Sequence, residues 1–207
     1  MKPFEAIIFD CDGVLFKSHQ ANLAYYNRIF AHLGQPAVTD PLSADAMICH
    51  TASSPVVFEK LLGAELVSAA LDFAASLDYR EFIPLMIEEL GLKDALTRLA
   101  ERYPLAVATN RGTSMPEVLK HFGLDQHFSA IVTSRDVERP KPAPDMLHLA
   151  AKRLGVTPEG CLFVGDSELD YQAAVAAPMH FVGFGNQFEG KRSVSSHTEL
   201  ADWVMCA

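Results

Sequence analysis

Asp10 and Asp12 stand one residue apart at the end of the apolar run Ala6-Ile7-Ile8-Phe9, immediately before Gly13. In an extended segment, residues i and i+2 point to the same side, so the two carboxylates converge on one small volume. Like charges that close resist joint ionisation unless a cation or a shared proton intervenes. The pair points to a divalent-metal site or a carboxylate acid/base pair. Asp and Gly after a strand also make plain turns, and the dyad alone leaves that reading open. Further polar groups stand where later apolar runs end: Thr109-Asn110 after PLAVA, and Asp166 after GCLFVG with Asp170 about one helical turn beyond. Lys141 lies between Pro140 and Pro142 in the loop-like string RPKPAPD. Taken singly, each reads as a cap, a turn or a solvated surface charge. Together they mark the ends of several strands, which is where an α/β sheet gathers its ligand-binding groups.

The elements that must position these groups follow from the pattern. Strands are expected at residues 5–9, 104–108, 129–132, 160–164 and 180–184. Helices are expected between them: 114–122 opening on Ser114 and Pro116 and stopping at Gly123, 143–154 stopping at Gly155, and the alanine-rich 168–177 reaching Pro178. Strands alternating with helices predict a Rossmann-like, doubly wound parallel sheet covered on both faces. Residues 17–90 break the rhythm. Leu23, Tyr26, Phe30 and Leu33 follow helical spacing to Gly34, Ser53-Ser54-Pro55 opens another helix ending near Gly63, and further helical patterns run through 64–76 and 80–90. The reading is an all-helical cap at 17–90 inserted after the first strand, with the catalytic core formed by 1–16 and 91–207. Such an insert could hinge over the strand ends as a lid.

Composition bounds the class. The 207 residues, 49% hydrophobic and 21% charged, are those of an ordinary globular chain. A net charge of -9 disfavours nonspecific binding to nucleic acid or acidic membranes. It leaves room for an anionic substrate, because a metal ion and a few cationic side chains reverse the potential locally. Cys11, Cys49, Cys161 and Cys206 form no CxxC pair, which fits reduced thiols. Without a leader pattern or an apolar run of spanning length, a cytoplasmic location is expected.

These motifs, in this order and spacing, resemble the haloacid dehalogenase-like (HAD) hydrolase superfamily. DCDGVL matches its first motif, the strand ending in Thr109-Asn110 its second, Lys141 in RPKPAPD its third and VGDSELD its fourth. A helical insert after the first motif resembles the subgroup of phosphoglycolate phosphatases and beta-phosphoglucomutases. The resemblance implies a Mg2+ cofactor and an aspartyl-phosphate intermediate. It makes Asp10 the nucleophile and Asp12 the acid and base, with Thr109 and Lys141 completing the catalytic set. Phosphoryl oxygens would be held by Thr109, Asn110, Lys141 and exposed amides around Gly13. Asp10, Asp12 (through its main-chain carbonyl) and Asp166 would hold the metal, with Asp170 supporting it or orienting Lys141.

Asp12 favours phosphate chemistry over carbon–halogen cleavage, because relatives that expel halide need no second carboxylate and generally lack one there. The expectation is a phosphomonoester hydrolase acting on a small phosphorylated metabolite, phosphoglycolate-like or a sugar phosphate. A phosphomutase is the enzymatic alternative, and a catalytically idle binding or regulatory module the alternative from another class. Monomer and homodimer stay open. Two positions depart from the family pattern: Lys17 stands where an acidic residue is common, and Pro178 where a glycine is common, the latter expected to change only the helix ending. Lys17, His19, His50, Arg80 and Arg111 are candidates for contacting the leaving group, and Arg111, just past Thr109-Asn110, has the best claim.

Overall fold

The structure is a computed structural model and describes residues 4–185, 188 and 190–206. The chain divides into two compact units, one of Met1–Phe16 with Glu88–Ala207 and one of Lys17–Ile87.

In chain order, β1 (Ala6–Phe9) is followed by β2 (Phe16–Lys17), where the chain leaves the first unit. The helices α1 (His19–His32), α2 (Ala44–Thr51), α3 (Ser54–Leu62) and α4 (Val67–Ser76) then precede β3 (Ile87–Glu88), where the chain returns. The remainder alternates: α5 (Leu92–Ala100), β4 (Leu105–Thr109), α6 (Met115–Phe122), β5 (Ala130–Thr133), α7 (Asp145–Leu154), β6 (Cys161–Gly165), α8 (Glu168–Ala176), β7 (His180–Phe184), β8 (Arg192–Val194) and α9 (His197–Cys206).

Six strands form one sheet in the order β5-β4-β1-β6-β7-β8, and every neighbouring pair is parallel. This is the expected Rossmann-like α/β fold. Strand β1 lies in the middle, with Ile8 opposite Ala106 of β4 and Phe163 of β6. All residues of β1, β4 and β6 are buried, as a sheet covered on both faces requires. Ile8 and Phe163 pack with Met146 and Leu147 of α7 and with Ala173 and Ala174 of α8. Strand order reverses at β1, so its carboxyl end is a topological switch point.

The unit Lys17–Ile87 has a core of its own, as a separately compact body should. Tyr26, Ile29 and Phe30 of α1 meet Cys49 of α2, Val57 and Phe58 of α3 and Ala70 of α4. Ser53, Pro55 and Gly63 frame α3 as the sequence predicts. The expected helix over 80–90 does not form. Tyr79–Glu81 and Ile83–Leu85 are single 3-10 turns, and β3 follows. Pro84 has no amide hydrogen to continue a helix and crowds the turn before it.

Helix α8 ends where expected, but Pro178 does more than end it. Its φ is 25°, in the region that favours glycine, while Met179 donates its amide to the Ala174 carbonyl at 3.0 Å in the manner of a Schellman ending. All four cysteines are free thiols. No helix among the described residues is long and apolar enough to cross a membrane.

Candidate active site

The loop after β1 is wound around one carbonyl. Cys11 accepts amide hydrogens from Val14 (3.3 Å), Leu15 (2.8 Å) and Phe16 (3.2 Å), while the Asp10 amide donates to Val164 of β6 at 2.9 Å. Asp10 and Asp12 are thereby presented at the switch point, both nearly buried. The Gly13 amide donates to the Phe16 carbonyl at 2.9 Å. The amides of Gly13, Val14, Leu15 and Phe16 all bond to carbonyls within this loop. Gly13 has another function: a Cβ built on it would lie 2.1 Å from Asp166 Oδ2, at a φ of 78°. Only glycine lets the two loops approach so closely.

Lys141 Nζ sits between two carboxylates, 2.7 Å from Asp10 Oδ1 and 2.6 Å from Asp170 Oδ1. The Asp10 contact is an ion pair without hydrogen-bond geometry, which leaves buried Oδ1 without a hydrogen-bond donor among the described residues. Burial works against charge on Lys141, but Asp10 and Asp170 reverse that and raise its pKa above the ordinary lysine range. Asn110 braces the lysine: its Nδ2 donates to the Lys141 carbonyl and its Oδ1 accepts the Lys141 amide, each at 3.0 Å. Its side-chain amide is thus tied to the Lys141 backbone.

Asp170 is held from its other side. Ser167 caps α8, donating from its amide (3.0 Å) and hydroxyl (2.5 Å) to Asp170 Oδ2, while the Asp170 amide returns a bond to Ser167 Oγ at 3.2 Å. The string Ser167-x-x-Asp170 is a capping-box pattern that sequence reasoning could have used and did not. Gly165 makes room for this arrangement, since a Cβ there would lie 2.4 Å from the Asp170 Cβ.

Asp10, Asp166 and Asp170 bring carboxylate oxygens within 4.8 Å of one another. Burial, then repulsion from Asp170 and Asp10, pushes Asp166 up to about 9. Burial likewise pushes Asp10 up to about 7, with Lys141 pulling the other way. A hard divalent cation with oxygen preference fits this all-carboxylate donor set. Burial and the neighbouring Asp12 push the Cys11 thiol far up, which removes it as a nucleophile.

Thr109 Oγ1 accepts the Arg111 amide at 3.1 Å and keeps its hydroxyl hydrogen to donate. Arg111 turns toward Asp12, Nε donating to Oδ2 at 3.2 Å and Nη2 to Oδ1, with Nη1 3.4 Å from Ser114 Oγ. This pairing, across 99 residues of sequence, was not foreseen.

The other leaving-group candidates lie in the helical unit. Lys17 and His19 are exposed. His19 stacks on the buried His50, ring centroids 3.4 Å apart. Asn22 Nδ2 meets His50 Nδ1 at 3.2 Å, and Tyr79 donates to Asn22 Oδ1 at 3.3 Å. Asn22 and Tyr79 were missed, because nothing in their spacing ties them to the histidines. Arg80 forms an exposed forked pair with Asp78, closest at 2.6 Å.

The family model described as haloacid dehalogenase-like hydrolase matches residues 7–184. A crystal structure of a HAD-superfamily hydrolase, subfamily IA, variant 1, from Geobacter sulfurreducens is similar, with TM-score 0.84 and 38% identity over 97% of this chain and 99% of that one. Among curated proteins, fructose-1-phosphate phosphatase YqaB of Escherichia coli is 29% identical over 86% of this chain and 95% of its own length. Phosphoglycolate phosphatase of Escherichia coli is 41% identical over 41% of this chain and 34% of its own length.

Proposed function

The chain belongs to the haloacid dehalogenase-like hydrolase family as a phosphoric monoester hydrolase, and from that premise we propose that it cleaves a small phosphorylated metabolite through an aspartyl-phosphate intermediate with Mg2+. The observation that carries this reading is the cluster of Asp10, Asp166 and Asp170, with Lys141 paired to buried Asp10 and Asp170.

Asp10 is the nucleophile. One of its carboxylate oxygens forms a bond to phosphorus as the ester P–O bond breaks, and the leaving oxygen takes a proton from Asp12. A water molecule then attacks the phosphorus of the acylphosphate and gives its proton to Asp12. The Asp10–phosphorus bond breaks, releasing phosphate and restoring both carboxyl groups. Lys141 and the Thr109 hydroxyl hold phosphoryl oxygens, Asn110 fixes the Lys141 backbone, and Asp170 fixes its ammonium. Asp10 and Asp166, with the Asp12 carbonyl and support from Asp170, would hold Mg2+. When bound, the ion supplies neutralising charge for the phosphoryl group. The unit Lys17–Ile87 is assigned the role of a cap that selects the leaving group, with His19, Asn22, His50 and Tyr79 as its polar cluster. The similar curated proteins are named for fructose 1-phosphate and phosphoglycolate, and the proposed substrate class spans both kinds.

The test is p-nitrophenyl phosphate turnover with and without Mg2+, repeated on Asp10→Asn. We expect metal-dependent activity that the substitution abolishes. Equal turnover by the variant removes Asp10 as nucleophile. Absence of turnover by the wild type on this ester and on a panel of phosphorylated metabolites favours an idle binding module.

A further inference from the structure

His197 is the first residue of α9 and wholly buried, and nothing in the chemistry above uses it. Ser196 fixes its place, accepting the Glu199 amide on Oγ at 3.2 Å and the Leu200 amide on its carbonyl at 3.0 Å. The ring meets Phe184 at the end of β7 and Phe9 at the end of β1, with centroids 4.5 and 6.4 Å away. Its Nε2 is 2.7 Å from the Val14 carbonyl oxygen. A carbonyl only accepts, so Nε2 carries the proton of a ring that burial keeps neutral. Nδ1 is then a buried acceptor, and it has no hydrogen-bond partner among the described residues. A phenyl ring would fill the same aromatic surroundings without that unfavourable nitrogen. What histidine adds is the bond to Val14.

Phe9 directly precedes Asp10, and Val14 directly follows Gly13. One imidazole thus touches the chain on both sides of Asp10-Cys11-Asp12-Gly13, in ring contact with the residue before and hydrogen-bonded to the residue after. The Val14 amide in turn donates to the Cys11 carbonyl at 3.3 Å, so the held residue belongs to the turn that carries both carboxylates. Resting on the reading of Asp10 as nucleophile and Asp12 as acid and base, we propose that His197 is a positioning residue, which fixes the Asp10–Asp12 loop through the Val14 carbonyl. Without this bond a buried carbonyl loses its donor, and the loop relaxes to find another. Asp10 must meet phosphorus in line while Asp12 meets the leaving oxygen of the same ester. Errors in their mutual placement therefore slow the chemical steps more than they weaken substrate binding.

The experiment compares His197→Phe, which keeps a ring and removes the donor, with His197→Gln, which loses the ring and keeps an amide N–H of similar reach. The full chains are assayed on p-nitrophenyl phosphate with saturating Mg2+ at neutral pH, well below their melting temperatures. In His197→Phe kcat should fall about tenfold or more with KM within about threefold of wild type, whereas His197→Gln should keep kcat within about threefold. A residue that only fills space predicts the reverse order, because phenylalanine preserves more of the packing. Wild-type kcat in folded His197→Phe overturns the proposal, and so does a loss of about tenfold in folded His197→Gln. If melts show His197→Phe to be unfolded, His197→Met, also without a donor, is held to the same criteria. Should neither fold, the bond serves stability alone and the proposal fails. Wild-type turnover that Asp10→Asn abolishes reports on the aspartyl-phosphate reading by itself. Failure of that control sinks the mechanism, and success of the control with unchanged kcat in His197→Phe sinks only the positioning role.

Discussion

Replacing Gly13 by alanine separates two effects that the structure combines at one residue. The first is backbone strain, since Gly13 has a φ of 78°. A left-handed conformation costs an L-residue roughly 1–2 kcal/mol. For a chain of this size that lowers Tm by about 2–8 °C. The second is displacement. The new Cβ would lie 2.1 Å from Asp166 Oδ2, whereas real Cβ atoms do not approach closer than 3.0 Å. The Asp166 carboxylate must therefore retreat by about 1 Å, and a misplacement of that size costs on the order of a hundredfold in rate. Gly155→Ala supplies the strain alone, with a φ of 72° and nothing within 4 Å of the added carbon. Gly165→Ala supplies displacement, of Asp170, without a left-handed φ. The assay is Mg2+-titrated turnover of p-nitrophenyl phosphate beside thermal melts of all three variants. Gly13→Ala is expected to lose stability like Gly155→Ala and also to lose about a hundredfold in kcat, with weakened Mg2+ half-saturation. Wild-type kcat and metal response in Gly13→Ala, with only the melt shifted, would refute the reasoning that Gly13 exists to admit Asp166.

His197 is buried against Phe184 and Phe9, its Nε2 donating to the Val14 carbonyl at 2.7 Å, and burial lowers its pKa to about 4. The unfolded chain binds this proton below its ordinary value of about 6.5 while the folded chain does not. Stability is therefore complete above 6.5 and falls as pH drops toward 4, by about 2 kcal/mol at pH 5. Urea melts at pH 7 and 5 should show His197→Gln losing less stability than wild type; equal losses would exclude His197 as the source. Pro178 occupies the left-handed position of a Schellman ending and has no amide to donate there. Pro178→Gly should raise Tm by a few degrees, corresponding to about 1–2 kcal/mol, and a lower melt would contradict that account. Asn110→Asp places an acceptor against the Lys141 carbonyl and should lower stability by about 1–3 kcal/mol and activity by at least tenfold. Unchanged values in melts and turnover would free Lys141 from its dependence on Asn110.

The parts of the site that were legible in the sequence are those set by local period. The two-residue spacing of Asp10 and Asp12 and the polar residues closing β4 and β6 are properties of strands, and strands announce themselves by apolar runs. What the sequence concealed is pairing between distant segments. Asn110 meets Lys141 across 31 positions and Arg111 meets Asp12 across 99, and no local preference records either. Within the fold, α5, β8 and α9 were overlooked. Strand β8 is three residues with an exposed arginine, too short and polar to show a period. The turns at 79–85 were mistaken for a helix because apolar spacing outweighed Pro84. The interior position of β1 bears on how the molecule is born. This four-residue strand is made well before either of its neighbours, β4 and β6. At ribosomal rates of roughly 5–20 residues per second it waits on the order of ten seconds or more for the second edge to be covered. During that interval a bare hydrophobic ribbon must be shielded from its counterparts on other growing chains. Slower translation or scarce chaperones should thus reduce soluble yield before any fault in the finished enzyme is felt.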